Sequence, residues 1–156
     1  MIAAPLPELV EVLRSGGLAN QKAPRIQQVL GQLAGQPHGL DLHWLADLGA
    51  AEAETWLIAL PGVGRKTAAC VLLFSLDVPV MPVDTHVHRV ARRLGLIGER
   101  VSADAAHAIL TALTPPDLML DTHLLLIEHS RRTCRARNPH CGACVLAGGC
   151  PSAGRV

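Results

Sequence analysis

Apolar positions along this chain recur mostly at intervals of three and four, the repeat of one helical face. Leu9, Val10 and Leu13 share a face of a first helix, and Gly16-Gly17 stop it. Pro24 suits the first turn of a second helix. Its stripe is Ile26, Val29, Leu30 and Leu33, and Gly35 and Pro37 end it. Residues 41–48 and 51–60 read as two short helices with Trp44 and Trp56 as core anchors. The turn Pro61-Gly62-Val63-Gly64 follows. Residues 65–76 then form a helix apolar on nearly every face, which predicts burial. Prolines at 79 and 82 keep residues 78–82 extended.

Asp84 or Thr85 caps a helix reaching about residue 94, and Ser102 caps another to about residue 113. Thr114-Pro115-Pro116 breaks the pattern before a long helix over 117–132. The tail, 134–156, is rich in Cys, Gly and Pro and needs a cross-link to hold a shape. No alternating strand pattern is present, so the expected class is all-α.

Composition narrows the function classes. The 156 residues make one ordinary domain, or a domain with a small appendage. A hydrophobic share of 49% excludes intrinsic disorder, and 17% charged residues excludes a long solvated coiled coil. The net charge of +1 excludes a uniformly basic protein, so contact with nucleic acid would rest on local patches. The charge is uneven: residues 1–78 carry five Lys/Arg against seven Asp/Glu, and residues 79–156 carry nine against six. Only Lys22 and Lys66 are lysines. Residues 1–17 have no basic leader, and Glu8 and Glu11 interrupt their apolar run, so no signal peptide is expected. The run 67–76 is too short to span a bilayer. These features point to a reducing, cytoplasmic compartment and to no membrane partner, where clustered cysteines favour metal over disulfides.

Three segments carry candidate chemistry. In Leu60-Pro61-Gly62-Val63-Gly64 two glycines let the backbone turn with its amides exposed, either as a structural turn or as an anion site for a DNA phosphate. Lys66 falls in the first turn of the helix that follows, where the helix dipole and burial would lower its amine pKa toward nucleophilic use. A solvated lysine is the plain alternative. Asp84 either caps amides or serves as a carboxylate near Lys66, and Arg89, Arg92 and Arg93 either meet phosphates or form a solvated face. Cys134-x6-Cys141-x2-Cys144-x5-Cys150 offers four soft ligands for zinc or for a [4Fe–4S] cluster, and the wide outer spacings lean toward the cluster. Arg131, Arg132, Arg135 and Arg137 make the neighbourhood electropositive, and Cys70 reads as core.

Together, LPGVGRKTA (60–68), VDTHVHRV (83–90), HSRRTCRARNPHCGAC (129–144) and the cysteine spacing resemble the endonuclease III family of helix–hairpin–helix DNA glycosylases, over about residues 12–150. The resemblance implies a partial helical barrel domain with the hairpin over 1–82 and a helical iron–sulfur domain over 83–156. It implies a base-excision repair enzyme that removes oxidised pyrimidines and cleaves abasic sites by β-elimination. Lys66 would be the nucleophile, Asp84 the catalytic carboxylate, and Cys134, Cys141, Cys144 and Cys150 the ligands of a [4Fe–4S] cluster. The DNA contacts would be Pro61, Gly62, Val63, Gly64, Arg65, Arg89, Arg135 and Arg137. Leu18 would be either the wedge beside a flipped base or a packing leucine. Lesion-bearing duplex DNA is the implied partner, with nucleoid association. Family members usually carry further helices before the segment matching Val12, so apolar faces are expected to be exposed here. The chain would be a monomer if complete, and otherwise completed by a partner. Two rivals remain at this point: a non-catalytic DNA-binding remnant of the family, and a zinc-stapled helical interaction module.

Overall fold

The computed structural model describes all 156 residues, Met1–Val156. It is helical throughout, without strands, and divides into two compact units, residues 1–64 and 65–156. No helix is long and apolar enough to cross a membrane.

The first unit contains α1 (Leu6–Leu13), α2 (Ala19–Ala34) and α3 (Ala50–Ile58), with 3₁₀ turns at Arg14–Gly16 and His43–Asp47. Leu9, Ala23, Leu33, Leu45, Ala53 and Leu57 form its buried positions. α1 packs against α2. α2 begins earlier than the proline suggested, leaving Pro24 inside it. The lost hydrogen bond there is only the one to Asn20, in the first turn of α2, where a missing amide disturbs little of the helix. The segment expected as a helix over 41–48 is a single 3₁₀ turn. Trp44 and Trp56 are half-buried rather than core. They meet edge to face at 5.1 Å, and His38 stacks on Trp44 at 5.0 Å.

The second unit contains α4 (Arg65–Ser75), α5 (Thr85–Arg93), α6 (Ala103–Leu113) and α7 (Met119–Arg132), followed by 3₁₀ turns at Cys141–Ala143 and Ala147–Gly149. Its core gathers Leu73, Met81, Val83, Val87, Ala91, Ile97, Ala106, Leu110 and Met119, with Leu126 and Ile127 against them. The connector 78–82 lies outside any helix, as its prolines require. Burying Met81, Pro82 and Val83 there pins the approach to α5. The amide of Met81 donates to the Thr111 hydroxyl on α6 at 2.9 Å, so this buried strap keeps a hydrogen-bonded backbone. Ser102 caps α6 through the amide of Ala105 at 3.1 Å. α4 is less enclosed than its composition implied: Ala68, Ala69, Leu72 and Leu73 are buried, but Phe74 is half exposed.

Candidate functional site

Asp84 is the N-cap of α5. Its Oδ1 accepts from the amides of His86 and Val87, both at 2.8 Å. These satisfy two of the donors that a helix start leaves without partners. Both bonds fall on one oxygen, so Oδ2 is left for chemistry. Capping and catalysis are therefore not rival readings of this carboxylate; the geometry accommodates both.

Lys66 is the second residue of α4. It is exposed, which corrects the expectation that burial would press on its amine. The buried face of α4 begins two residues later, at Ala68.

His123, on α7, joins the two. The ring is 2% exposed. It meets Phe74 of α4 edge-on at 5.5 Å. Burial holds the imidazole below its ordinary pKa of 6.5; the negative charge of Asp84 and the backbone at Pro82 pull the other way, and the cation of Lys66 adds to the lowering. Lys66 and Asp84 are thus both within electrostatic range of one buried ring. His123 is not among the candidate residues that the sequence pattern yields. The signal was present: Met119, His123, Leu126, Ile127 and Ser130 form the inward stripe of α7, and two of its five members are polar. A polar residue on such a stripe needs a partner that spacing alone does not identify.

Ser130 supplies the second inward contact. Its hydroxyl accepts from the Arg89 guanidinium and lies 3.0 Å from His86 Nδ1. Arg89 Nε also donates to the Cys134 carbonyl at 3.2 Å. Arg89 is therefore engaged by the protein itself, as a strap from α5 to the start of the cysteine segment. Arg65 reaches Asp104 on α6 at 3.1 Å. Arg135 and Arg137 are exposed, as is Leu18. Leu18 has φ of +55°, a left-handed conformation that L residues adopt reluctantly, at the N-cap of α2. In the hairpin, Val63 donates to the Leu60 carbonyl at 3.1 Å, and Gly62 takes φ of +75°. Pro61 and Val63 are half-buried, while Gly62 and Gly64 are exposed.

The four clustered cysteines line one cavity at the C-terminal end of α5 and α7, with Arg93, His129, Thr133 and Pro139. Cys134 is positioned by its amide bond to the His129 carbonyl at 2.8 Å, and Cys141 and Cys144 bracket a 3₁₀ turn. No three His, Cys, Asp or Glu are gathered around a single-ion point. The sulfurs are set around the cavity wall, an arrangement that suits a multi-iron group better than one zinc ion. Arg93 Nη1 lies 3.4 Å from Cys134 Sγ, and His129 Nε2 lies 3.8 Å from Cys144 Sγ. Such donors offset the negative charge of thiolate ligands.

This all-helical fold, with a hairpin, an accessible lysine, a capping aspartate and a four-cysteine cavity, defines a class. The profile of HhH-GPD superfamily base excision DNA repair proteins matches residues 1–116, and that of the iron–sulfur binding domain of endonuclease III matches residues 134–150. The chain belongs to the HhH-GPD superfamily of base excision DNA repair proteins. Its C-terminal cysteines form an endonuclease III-type domain whose cofactor is a [4Fe–4S] cluster, which removes the zinc alternative. The chain is 34% identical to endonuclease III of Sulfolobus acidocaldarius, over 94% of its own length and 63% of that protein. It is 35% identical to endonuclease III of Thermotoga maritima, over 92% and 62%. A solved non-covalent endonuclease III–DNA complex superposes with a TM-score of 0.83 at 35% identity, covering 99% of this chain and 68% of that one. The chain thus spans a little over three-fifths of the curated relatives it matches.

Proposed function

We propose that this protein is a base-excision DNA glycosylase with abasic-site lyase activity, acting on oxidised pyrimidines in duplex DNA. The observation that carries the reading is an accessible lysine at the start of α4 and a capping aspartate with one oxygen spare, both within range of the same buried imidazole. Asp84 accepts a proton from the Lys66 ammonium and stabilises positive charge developing on the sugar. The freed amine attacks C1′, the bond to the flipped-out base breaks, and the base departs with a proton. Opening of the sugar ring gives an imine between Lys66 and C1′. Loss of a C2′ proton expels the 3′ phosphate, and water then releases the lysine. The [4Fe–4S] cluster would be held by Cys134, Cys141, Cys144 and Cys150 and would supply a cross-link for the tail rather than a redox step. Arg135, Arg137, Arg65 and the amides of Gly62 and Gly64 contact phosphates, Pro61 and Val63 shape the turn that presents them, and Leu18 fills space beside the displaced base. The division at residues 82 and 83 separates hairpin from cluster functions in this reading.

Duplex DNA with one abasic site, incubated with the protein and borohydride, tests this. The reading expects a covalent protein–DNA species and a nick 3′ to the site. Salt-dependent binding with neither product would make the chain a non-catalytic DNA-binding member of its family.

A further inference from the structure

We infer that Arg93 is a positioning residue for the [4Fe–4S] cluster. Its guanidinium grips the start of the cysteine segment and donates to the Cys134 thiolate, which makes the cluster harder to oxidise and slower to lose iron. This rests on the cofactor of the cysteine domain and is independent of the roles proposed for Lys66 and Asp84.

Arg93 is the last residue of α5 and is half-buried. Its Nη1 donates to the Arg135 carbonyl at 2.7 Å and lies 3.4 Å from Cys134 Sγ. Nη2 donates to the Ala136 carbonyl at 3.3 Å. Nη1 carries two hydrogens, so one serves the carbonyl and the other the sulfur. The two carbonyl bonds fix the plane of the guanidinium, and that plane sets the direction of the N–H aimed at Cys134. At its other end, the Arg93 carbonyl lies 3.3 Å from Cys150 Sγ. One residue of α5 thus touches the first and the last cysteine of the set, 16 positions apart. Arg92, its neighbour, is exposed.

Electrostatics give this contact its weight. The cavity lies where α5 and α7 end, and a helix C-terminus carries partial negative charge. Four thiolates deepen the negative potential there. A cation held against one of the sulfurs offsets both. A reduced cluster carries one electron more than an oxidised one. A fixed N–H donor and a positive charge therefore favour the reduced form and raise the potential. Position matters as well as charge. The Cys134 amide donates to the His129 carbonyl at 2.8 Å, and Arg93 holds the two carbonyls that follow. Cys134 is thus held on both sides by protein. A thiolate fixed in this way recaptures iron instead of swinging away from it. Both effects protect the cross-link that the tail needs.

The test separates the planar fork from the charge. Lys at this position keeps the charge without the fork, and Met keeps neither. Arg93→Lys, Arg93→Met and Arg92→Met are compared with the parent as cluster-loaded proteins. Three quantities are read: the midpoint potential of the cluster by protein-film voltammetry, the half-life of its visible absorption under an iron chelator, and the melting temperature. The inference expects Arg93→Met to have a more negative potential and to lose iron about tenfold faster. Arg93→Lys should move the same way by less, and Arg92→Met should match the parent in both. If Arg93→Met retains no cluster, the other two variants decide. An Arg93→Lys protein indistinguishable from the parent would overturn the fork. Equal shifts in Arg92→Met and Arg93→Met would reduce the effect to net charge and overturn it too. So would faster iron loss that follows the melting temperature while the potential stays fixed.

Discussion

On the proposed mechanism Asp84 holds two jobs, helix cap and catalytic carboxylate, and substitutions separate them. Asp84→Asn keeps a side-chain acceptor for the amides of His86 and Val87 but removes the charge. It should leave the melting temperature nearly unchanged and lower the trapping rate by about 10²- to 10⁴-fold. Asp84→Ala should add a loss of about 0.5–2 kcal/mol in chemical denaturation, because the cap goes as well. His123 gives a pH signature of a different kind. Its folded pKa lies below the ordinary 6.5, so the unfolded chain binds the extra proton first as pH falls. Its contribution to stability is intact above about pH 6.5 and is lost as pH falls from there toward the folded value. Denaturation curves should show this loss in the parent and not in His123→Gln. Lys66, Asp84 and the cysteines stand out in the sequence because residue type and short spacing carry the resemblance to the family. His123 does not stand out, because its ring meets Phe74, 49 positions earlier in the chain.

At the scale of elements, the two hairpin glycines should answer differently to the same change. Gly62 has φ of +75°, and a Cβ there would meet Arg25 Cδ at 2.8 Å. The arginine side chain can move, so the backbone strain dominates, and Gly62→Ala should cost about 1–2 kcal/mol. Gly64 has ordinary dihedrals and open space around its Cβ position. Gly64→Ala should therefore leave stability alone and weaken binding to duplex DNA, if its amide approaches a phosphate closely. Equal DNA affinity in that variant would remove the hairpin from the interface. The capped helices α5 and α6 were read correctly at their starts, since Asp84 and Ser102 act locally. α2 was misjudged because a proline one turn into a helix costs little, and Trp44 and Trp56 were misjudged because they pair with each other near the surface. Basic side chains on a helix say nothing of direction, so the sequence leaves Arg89 between a phosphate contact, which the resemblance implies, and a solvated face. Its bonds to Ser130 and the Cys134 carbonyl make it an internal strap in this structure.

Across the whole molecule, the cysteine segment has few apolar contacts of its own, and its turns are single 3₁₀ bonds. The cluster should hold it in place. Oxidative removal of iron should bleach the visible absorption and lower the melting temperature, with about 4–8 °C for each kcal/mol lost in a unit of this size. On α7 and near it, Leu125 is 63% and Val145 is 92% exposed. Helical class and cluster chemistry follow from periodicity and ligand spacing; the two-unit division depends on contacts that no local pattern encodes. The central claim is that a particular amine does the chemistry, and the composition makes it unusually easy to check. Lys66 has one rival lysine, Lys22, whose ammonium donates to the Gly16 carbonyl at 2.8 Å. Mass spectrometry of the borohydride-trapped complex should find the sugar remnant on Lys66 and no adduct in Lys66→Ala. A remnant on Lys22 or on the terminal amine, or trapping that survives Lys66→Ala, would contradict the account.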